Sequence, residues 1–165
     1  MGEQPRSSMP LIRDAHTPVD IDQIRELLLE YQAAIDVDLC FQDFAGELAS
    51  LPGEYSPPAG RLLLAIDADS VLGCVALRPL QGSDCEMKRL YVRPAARGRG
   101  LGRLLTETLL HEARQVGYSR VVLDTLPSMT EARALYRAVG FTEIPPYCRN
   151  PIPGVSYLAL PLRVR

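Results

Sequence analysis

Residues 85–102 read CEMKRLYVRPAARGRGLG, and the rest of the chain is organised around them. The apolar alternation of the first half predicts a β-strand, and a helix is expected to begin near Leu101. Between the two, Gly98, Gly100 and Gly102 allow the main chain to approach a ligand closely. The first N–H groups of a helix have no partners within the helix, so a glycine-rich turn at this point binds anions. The stretch therefore predicts a site for a cofactor that carries a diphosphate.

Arginines cluster around the same turn. Five fall between residues 89 and 103, and Arg93, Arg97, Arg99 and Arg103 flank the glycines. The whole chain has a formal net charge of −2, so its global charge does not attract nucleic acid or an anionic membrane. A local cluster in an acidic chain favours a small polyanion as partner, with a solvated basic face as the alternative.

Size and composition predict one soluble domain. The 165 residues suffice for a single core, and we expect a flexible tail at residues 1–8 and one domain over residues 9–165. No apolar run reaches the roughly 18 residues of a membrane span, and the N-terminus lacks the apolar core of a signal peptide, which predicts a cytoplasmic location. Four cysteines without a CxxC pair and two distant histidines predict neither a metal site nor disulfides.

The first half of the chain predicts two helices and then three strands. After a short strand at residues 11–13, Thr17 is the expected N-cap of a helix that runs from Pro18 to Ile35. The later candidates are a helix at residues 41–49 and strands at residues 61–66, 71–77 and 85–92. Short connections predict that the three strands form an antiparallel meander. Gly73 predicts a bulge or a close backbone approach within it.

The second half alternates helices and strands. A helix at residues 100–116 leads to a β-branched strand at residues 120–124, and this crossover predicts parallel pairing with the third strand of the meander. Another helix ends near Val139, and a last strand is expected at residues 156–160. The fold class is therefore α/β with a mixed sheet: an antiparallel meander, then a parallel βαβ unit, with helices on both faces. The last strand, taken as an apolar edge, favours a homodimer.

The spacing of the glycines narrows the class of cofactor. A nucleoside triphosphate loop ends in GK[ST], whereas Gly102 is followed by Arg103. A dinucleotide site needs GxGxxG, and counted from Gly98 its third glycine would fall on Arg103. The pattern that remains is [RQ]xxGxG, which residues 97–102 satisfy as RGRGLG.

Three segments in this order resemble the GCN5-related N-acetyltransferases, the GNAT family. They are LYVRPAARGRGLG, then RVVLDT one helix later, and then ALYRAVGF. The similarity covers most of the chain and is strongest over residues 86–141. It implies the family's mixed sheet, with a splay between its fourth and fifth strands, and acetyl-CoA as the acetyl donor.

The resemblance also implies which residues bind the donor. The pyrophosphate would lie on the main-chain amides of residues 97–102, Leu90 and Val92 would align the pantetheine arm, and the Val92 N–H would face the thioester oxygen. Many family members carry an asparagine at the position of Met129, which leaves that contact open. The full set of expected cofactor-binding residues is Leu90, Tyr91, Val92, Arg97, Gly98, Arg99, Gly100, Leu101, Gly102 and Arg103.

Two residues are candidates for the chemistry. Tyr136 stands where the family often carries a tyrosine acid for the coenzyme A sulfur, and a phenol remains protonated at neutral pH. The alternative is a core tyrosine. Glu86 lies where the histone-acetylating branch has its general base, and the alternative is a structural carboxylate paired with Lys88 or Arg89. Strand alternation would place Glu86 on one face with Lys88, Leu90 and Val92.

The expected activity is transfer of an acetyl group to the primary amine of a small molecule. Tyr147, Asn150 and Tyr31 are the candidate acceptor-binding residues. A protein acceptor, at a lysine or an N-terminus, is the first alternative. A module that senses acyl-CoA without turnover is the second. Neither nucleic acid nor a membrane is an expected partner.

Overall fold

A computed structural model describes residues 9–39 and 42–162. Seven strands and four α-helices follow one another along these residues. In chain order they are β1 (Leu11–Asp14), α1 (Pro18–Ile35), α2 (Phe44–Ser50), β2 (Arg61–Asp67), β3 (Ser70–Pro79), β4 (Asp84–Val92), α3 (Leu101–Val116), β5 (Arg120–Thr125), α4 (Thr130–Val139), β6 (Thr142–Ile144) and β7 (Ser156–Pro161).

The strands form one mixed sheet in the order β1-β2-β3-β4-β5-β7-β6. β2, β3 and β4 pair antiparallel, which confirms the predicted meander. β4 and β5 pair parallel through the α3 crossover, as expected for a βαβ unit. The fold class predicted from the sequence is confirmed.

The parallel pairing of β4 with β5 is short. It covers only three residue pairs, from Asp84 with Arg120 to Glu86 with Val122, although β4 continues to Val92 and β5 to Thr125. The two strands therefore separate towards their carboxyl ends. The sheet opens there, between its halves, as the resemblance implies.

Helices cover both faces of the sheet. On one face, α1 and α2 bury a cluster with β2 and β3, and on the other face α3 and α4 bury a second cluster. Leu62 and Leu64 point into the first cluster, whereas Leu63 and Ala65 point into the second. Because both faces of β2 are buried, its sequence is a continuous run of apolar residues.

α1 begins with the predicted cap. The Thr17 hydroxyl accepts a hydrogen bond from the Asp20 N–H at 3.1 Å, and the Asp20 carboxylate accepts one from the Thr17 N–H at 3.3 Å. Arg13 on β1 donates two hydrogen bonds of 2.8 Å to the same carboxylate. The capping box therefore also ties α1 to the edge of the sheet.

β4 contains a bulge that reverses its side-chain alternation. Cys74 pairs with Tyr91 and Ala76 pairs with Lys88, so two residue steps on β3 span three on β4. Arg89, the extra residue, has φ +61°. The prediction that Glu86 and Lys88 share a face with Leu90 and Val92 is therefore wrong.

The contacts on either side of the bulge show the reversal. Leu90 and Val92 pack against the α3 cluster, whereas Arg89 contacts residues of α1 and α2. Its guanidinium bonds Glu47 at 2.9 and 3.0 Å and lies 5.2 Å from the centre of the Phe44 ring. A charged partner and an aromatic face compensate for burying this cation beside a strained backbone.

Gly73 lies opposite Val92 at the carboxyl end of β4, and the close backbone approach predicted for it is present. A Cβ atom at this residue would overlap the carbonyl oxygen of Tyr91. Only a residue without a side chain lets β3 approach β4 this closely.

Three details differ from the sequence-based expectations. α2 begins at Phe44 rather than residue 41, and β6 was not predicted. β7 lies between β5 and β6, so it is not the edge strand on which the homodimer prediction rested. The predicted tail at residues 1–8, together with Cys40 and Phe41, lies outside the described residues.

None of the helices within residues 9–39 and 42–162 is long and apolar enough to cross a membrane. The same residues contain no group of three or more histidine, cysteine or acidic side chains arranged to hold a metal ion.

Candidate active site

A cleft of about 700 Å³ lies along the carboxyl half of β4. Its walls come from the glycine-rich turn, the carboxyl end of α1 and the beginning of α4. Gly98 and Gly100 have φ +81° and +76°, and no atom lies within 4 Å of a Cβ placed on either. Gly100 is the N-cap of α3, so the first N–H groups of that helix lie beside an open stretch of main chain.

The structure brings most of the predicted cofactor-binding residues to this cleft. Those that line it are Leu90, Tyr91, Val92, Arg97, Gly98, Gly100, Leu101, Gly102 and Arg103. Arg99 is not among the lining residues, and its guanidinium bonds Asp67 at 2.7 Å. The side chain of Tyr91 belongs to the α1 cluster, so this residue meets the cleft at its edge.

The arginine cluster of the sequence divides into two groups. Arg93 bonds Glu30 of α1 at 2.7 Å, and Arg89 bonds Glu47 of α2, so both attach helices to β4. Arg97 stays beside the cleft, where its Nε donates to the Val92 carbonyl at 3.0 Å. Charge density in the sequence therefore overstated the number of cations available to a ligand.

Met129 occupies the N-cap position of α4 and lines the cleft. No side chain caps this helix, and the Thr125 hydroxyl lies 3.7 Å from the Met129 sulfur, within range of a weak hydrogen bond. An apolar thioether thus stands at the position where many family members have an asparagine.

Tyr136 lines a small cavity of about 60 Å³ that adjoins the cleft. Leu90, Met129 and Asp124 line the same cavity, and the Tyr136 side chain is only 6% exposed. Burial, with smaller contributions from Tyr31 and Asp124, raises the pKa of the phenol above its usual range. Tyr136 is therefore protonated at neutral pH. Tyr31 borders both the cavity and the cleft.

Glu86 is buried, and both of its carboxylate oxygens accept strong hydrogen bonds. Oε1 accepts from Arg78 Nε at 2.6 Å, and Oε2 accepts from the Tyr147 hydroxyl, also at 2.6 Å. Lys88 Nζ lies 3.8 Å from Oε1. Burial and the nearby Glu86 charge raise the pKa of Tyr147 well above its usual range.

The loop after β6 is attached to both sides of the sheet opening. Tyr147 bonds Glu86 on β4, and Asn150 Nδ2 donates to Asp124 Oδ2 on β5 at 3.0 Å. Of the two loop residues predicted to bind the acceptor, Asn150 lines the small cavity, whereas Tyr147 lines neither this cavity nor the cleft. Its hydroxyl instead donates to Glu86, and its role in acceptor binding stays a prediction.

Sequence reasoning gave no role to Arg78 or Asp124, and it named Lys88 only as a possible partner of Glu86. Arg78 and Lys88 belong to the charged group around Glu86, and Asp124 borders the cavity of Tyr136. Two signals were available in the sequence. Lys88 is the only lysine of the chain, and Asp124 is a charged residue directly after the apolar run of residues 121–123.

The profile of the acetyltransferase (GNAT) family matches residues 21–141, more than half of the chain. The chain belongs to the GNAT family. As a member, it is an acetyl-CoA-dependent N-acetyltransferase.

One relative agrees with this assignment, and two solved structures share the fold. An uncharacterized N-acetyltransferase of Schizosaccharomyces pombe is 45% identical to this acetyltransferase, over 87% of this chain and 89% of its own length. A GNAT acetyltransferase of Staphylococcus aureus has the same fold, with a TM-score of 0.78 at 18% identity over 94% of this chain and 100% of its own. A Salmonella typhimurium structure described with its cofactor acetyl-CoA has a TM-score of 0.65 at 23% identity, over 94% and 95% of the two chains.

Proposed function

We propose that this acetyltransferase moves the acetyl group of acetyl-CoA to the primary amine of a small molecule, with Tyr136 as the acid for the departing thiolate. The observation that carries this proposal is that two spaces share part of their walls. The cleft beside the glycine-rich turn and the cavity that holds the buried, protonated phenol are both lined by Tyr31, Leu90 and Met129. Acyl transfer needs a donor site and a proton source in such an arrangement.

The residues of the cleft fit acetyl-CoA. The open main chain at Gly98 and Gly100, with the N-terminus of α3, suits a pyrophosphate. Ala132 and Leu135 of α4 supply an apolar wall for the pantetheine arm. Leu90, Tyr91 and Val92 line the same space, and β5 does not pair with β4 beyond Glu86. This supports the proposal that the Val92 N–H binds the thioester oxygen.

Glu86 remains a candidate base, but its contacts favour the structural alternative. Both of its carboxylate oxygens already accept hydrogen bonds, from Arg78 and Tyr147, as expected of a buried structural carboxylate. We propose that Glu86 fixes Arg78 and Tyr147 beneath the site. Any proton that it takes from the amine would pass through water or the Tyr147 hydroxyl.

The assay follows the release of coenzyme A with acetyl-CoA and a panel of small amines. Tyr136→Phe should lower kcat about 100-fold or more, because a positioned general acid contributes on this order. The Kd for acetyl-CoA should stay near that of the wild type, since the phenol lies beyond the cleft. An unchanged kcat in Tyr136→Phe would remove the tyrosine acid from the mechanism.

The same assay separates the alternative functions. Peptides with a free N-terminus or an internal lysine belong in the panel, because turnover with these alone would indicate a protein acceptor. If acetyl-CoA binds and no amine or peptide is acetylated above background, the chain is a sensing module. The cytoplasmic location stays a prediction from the sequence.

A further inference from the structure

Lys88 and Asp124 occupy equivalent positions on either side of the sheet opening. The register of the parallel pair runs from Asp84 with Arg120 to Glu86 with Val122. If this register is extended by two residues along each strand, Lys88 lies opposite Asp124. Residues that face each other in a parallel pair point to the same side of the sheet, so both side chains lie on the face that carries Glu86.

The separation of the strands keeps these two charges apart. At the closed end of the same ladder, Arg120 Nη2 and Asp84 Oδ2 form an ion pair of 3.0 Å. Lys88 and Asp124 form no ion pair within 4.0 Å, although both belong to the described residues. Both instead line the small cavity of Tyr136 and a second, polar cavity of about 480 Å³ on the α2 side.

Lys88 is a buried cation with hydrogen-bonding capacity to spare. Its side chain is 9% exposed, and within residues 9–39 and 42–162 Nζ makes one hydrogen bond, to Gln42 Oε1 at 3.2 Å. Glu86 Oε1 lies 3.8 Å away, which makes an ion pair with Lys88 but is beyond hydrogen-bond distance, and the two Glu86 oxygens already accept hydrogen bonds from Arg78 and Tyr147. An ammonium has three N–H donors, and a buried charge is costly unless its donors are used.

Asp124 has a free oxygen on the opposite side. Oδ2 accepts from Asn150, and no hydrogen bond to Oδ1 is found in the described part of the chain. The other buried charges of the polar cavity are paired, Glu47 with Arg89 and Glu86 with Arg78. Lys88 and Asp124 therefore present unused hydrogen-bonding capacity on opposite sides of the gap, whereas Asp43 and Arg149, which also line the polar cavity, are exposed.

We propose that the acetyl acceptor is an amine that also carries a carboxylate, of the α-amino acid class. Lys88 binds the carboxylate, and Asp124 binds the ammonium before it loses its proton. This orientation brings the nitrogen to the cavity that Tyr136 and Leu90 share. The inference rests on the proposed acetyl transfer to a small amine, and it names the acceptor class.

The test uses matched acceptors with the full-length enzyme. The twenty proteinogenic L-amino acids are first assayed with acetyl-CoA. Each substrate is then compared with its carboxamide and with its decarboxylated amine, for example L-leucine, L-leucinamide and 3-methylbutylamine. Binding of the same compounds to the enzyme–coenzyme A complex is measured by calorimetry, so that recognition is read without turnover.

Wild-type kcat/KM for the amino acid should exceed that for both matched compounds by about 10-fold to 100-fold, the range expected for one charged hydrogen bond. Lys88→Met should abolish this preference by lowering kcat/KM for the amino acid far more than kcat/KM for the decarboxylated amine. Arg114→Met, which removes an exposed cation on α3, should preserve the preference. Asp124→Asn should weaken the binding of all three compounds, and it provides a second variant if Lys88→Met does not fold.

The outcomes separate this inference from the proposed function. Equal turnover of the amino acid and its decarboxylated amine, or a preference that persists in Lys88→Met, overturns the inference and leaves acetyl transfer intact. Charge-dependent binding of an amino acid without turnover supports the inference and overturns the proposed activity. If no L-amino acid is bound or acetylated, the inference is wrong.

Discussion

Lys88 holds its charge in an environment that disfavours it. Burial lowers the pKa of its ammonium from the usual 10.5, Arg89 and Arg78 add to this, and Glu86 and Asp124 oppose it. Because Lys88 is the only lysine, reductive methylation with a ¹³C label gives one side-chain signal besides the N-terminus. We predict that this signal titrates at a lower pH in the folded protein than in the denatured protein.

The lowered pKa of Lys88 also makes the free energy of unfolding depend on pH. Between the two pKa values the unfolded state binds more protons at Lys88, so this group makes the protein more stable as the pH rises through that interval. Asp124→Asn removes an attractive charge and should lower the folded pKa further. A folded midpoint at or above the denatured one would contradict the burial of the ammonium.

Asp20 is the residue with the clearest role in stability. Arg13, together with the N–H groups of His16 and Thr17, lowers the pKa of its carboxyl far below the usual range, against the effect of burial. We predict that Asp20→Ala lowers the free energy of unfolding by about 2 kcal/mol, through the lost cap and charged hydrogen bonds. Urea denaturation at neutral pH measures this value.

The control for Asp20 is its neighbour Asp22, whose exposed carboxylate bonds Arg25 within the same helix. Asp22→Ala should change the free energy of unfolding by less than about 0.5 kcal/mol. A group with a lowered folded pKa stabilises above its unfolded pKa and loses this effect as the pH falls. The difference between the Asp20 variant and wild type should therefore shrink in acid, and a constant difference would argue against the ion pair.

At the level of elements, Gly73 of β3 packs against the part of β4 that follows the bulge. A side chain at Gly73 must push β3 away from the Tyr91 carbonyl. We predict that Gly73→Ala lowers the free energy of unfolding by about 2–3 kcal/mol and weakens acetyl-CoA binding, because Leu90 and Val92 shift with the strand. Urea denaturation and calorimetry give the two quantities.

Gly82 supplies a matched control for this substitution. It has φ +65° and no atom within 4 Å of a Cβ, so Gly82→Ala tests backbone strain alone. That strain should lower the free energy of unfolding by about 1 kcal/mol, with acetyl-CoA binding unaffected. Equal effects of the two substitutions on binding would mean that the strand approach does not shape the cleft.

At the scale of the whole molecule, the cleft joins α1, β4, α3 and α4, so donor binding should stabilise the complete fold. At acetyl-CoA concentrations of 100 times Kd, the stabilisation is about 2.7 kcal/mol. This corresponds to a rise in Tm of about 5–10 °C for a chain of this size. Calorimetric or fluorescence melting with and without acetyl-CoA measures the shift.

Gly100→Val should abolish that rise, since its side chain would stand at the α3 N-terminus in a left-handed conformation. Each variant is compared with its own melting temperature without ligand, which cancels the strain of the substitution. Gly82→Val carries a similar backbone strain outside the cleft and should retain the full rise. A normal rise in Gly100→Val would place the diphosphate elsewhere.

Much of the fold and part of the site could be predicted from the sequence. The glycines of residues 98–102 follow from a local pattern and Tyr136 from the resemblance to the GNAT family, and the structure places them in adjoining spaces. β6 could not be predicted, because three residues, two of them exposed, show no apolar alternation. The inner position of β7 was missed as well, because strand order depends on contacts between distant segments.

The amino-acid sequence by itself determined the helices, the meander, the crossover and the glycine-rich turn. These follow from steric preferences and apolar periodicity within a few residues of one another. Only the tertiary structure decided which charges meet and which stay apart. The bulge at Arg89 reversed the direction of the side chains at the end of β4. Because β4 and β5 separate early, Lys88 and Asp124 lie on opposite sides of a gap. Such relations depend on the register between strands, and no single segment encodes that register.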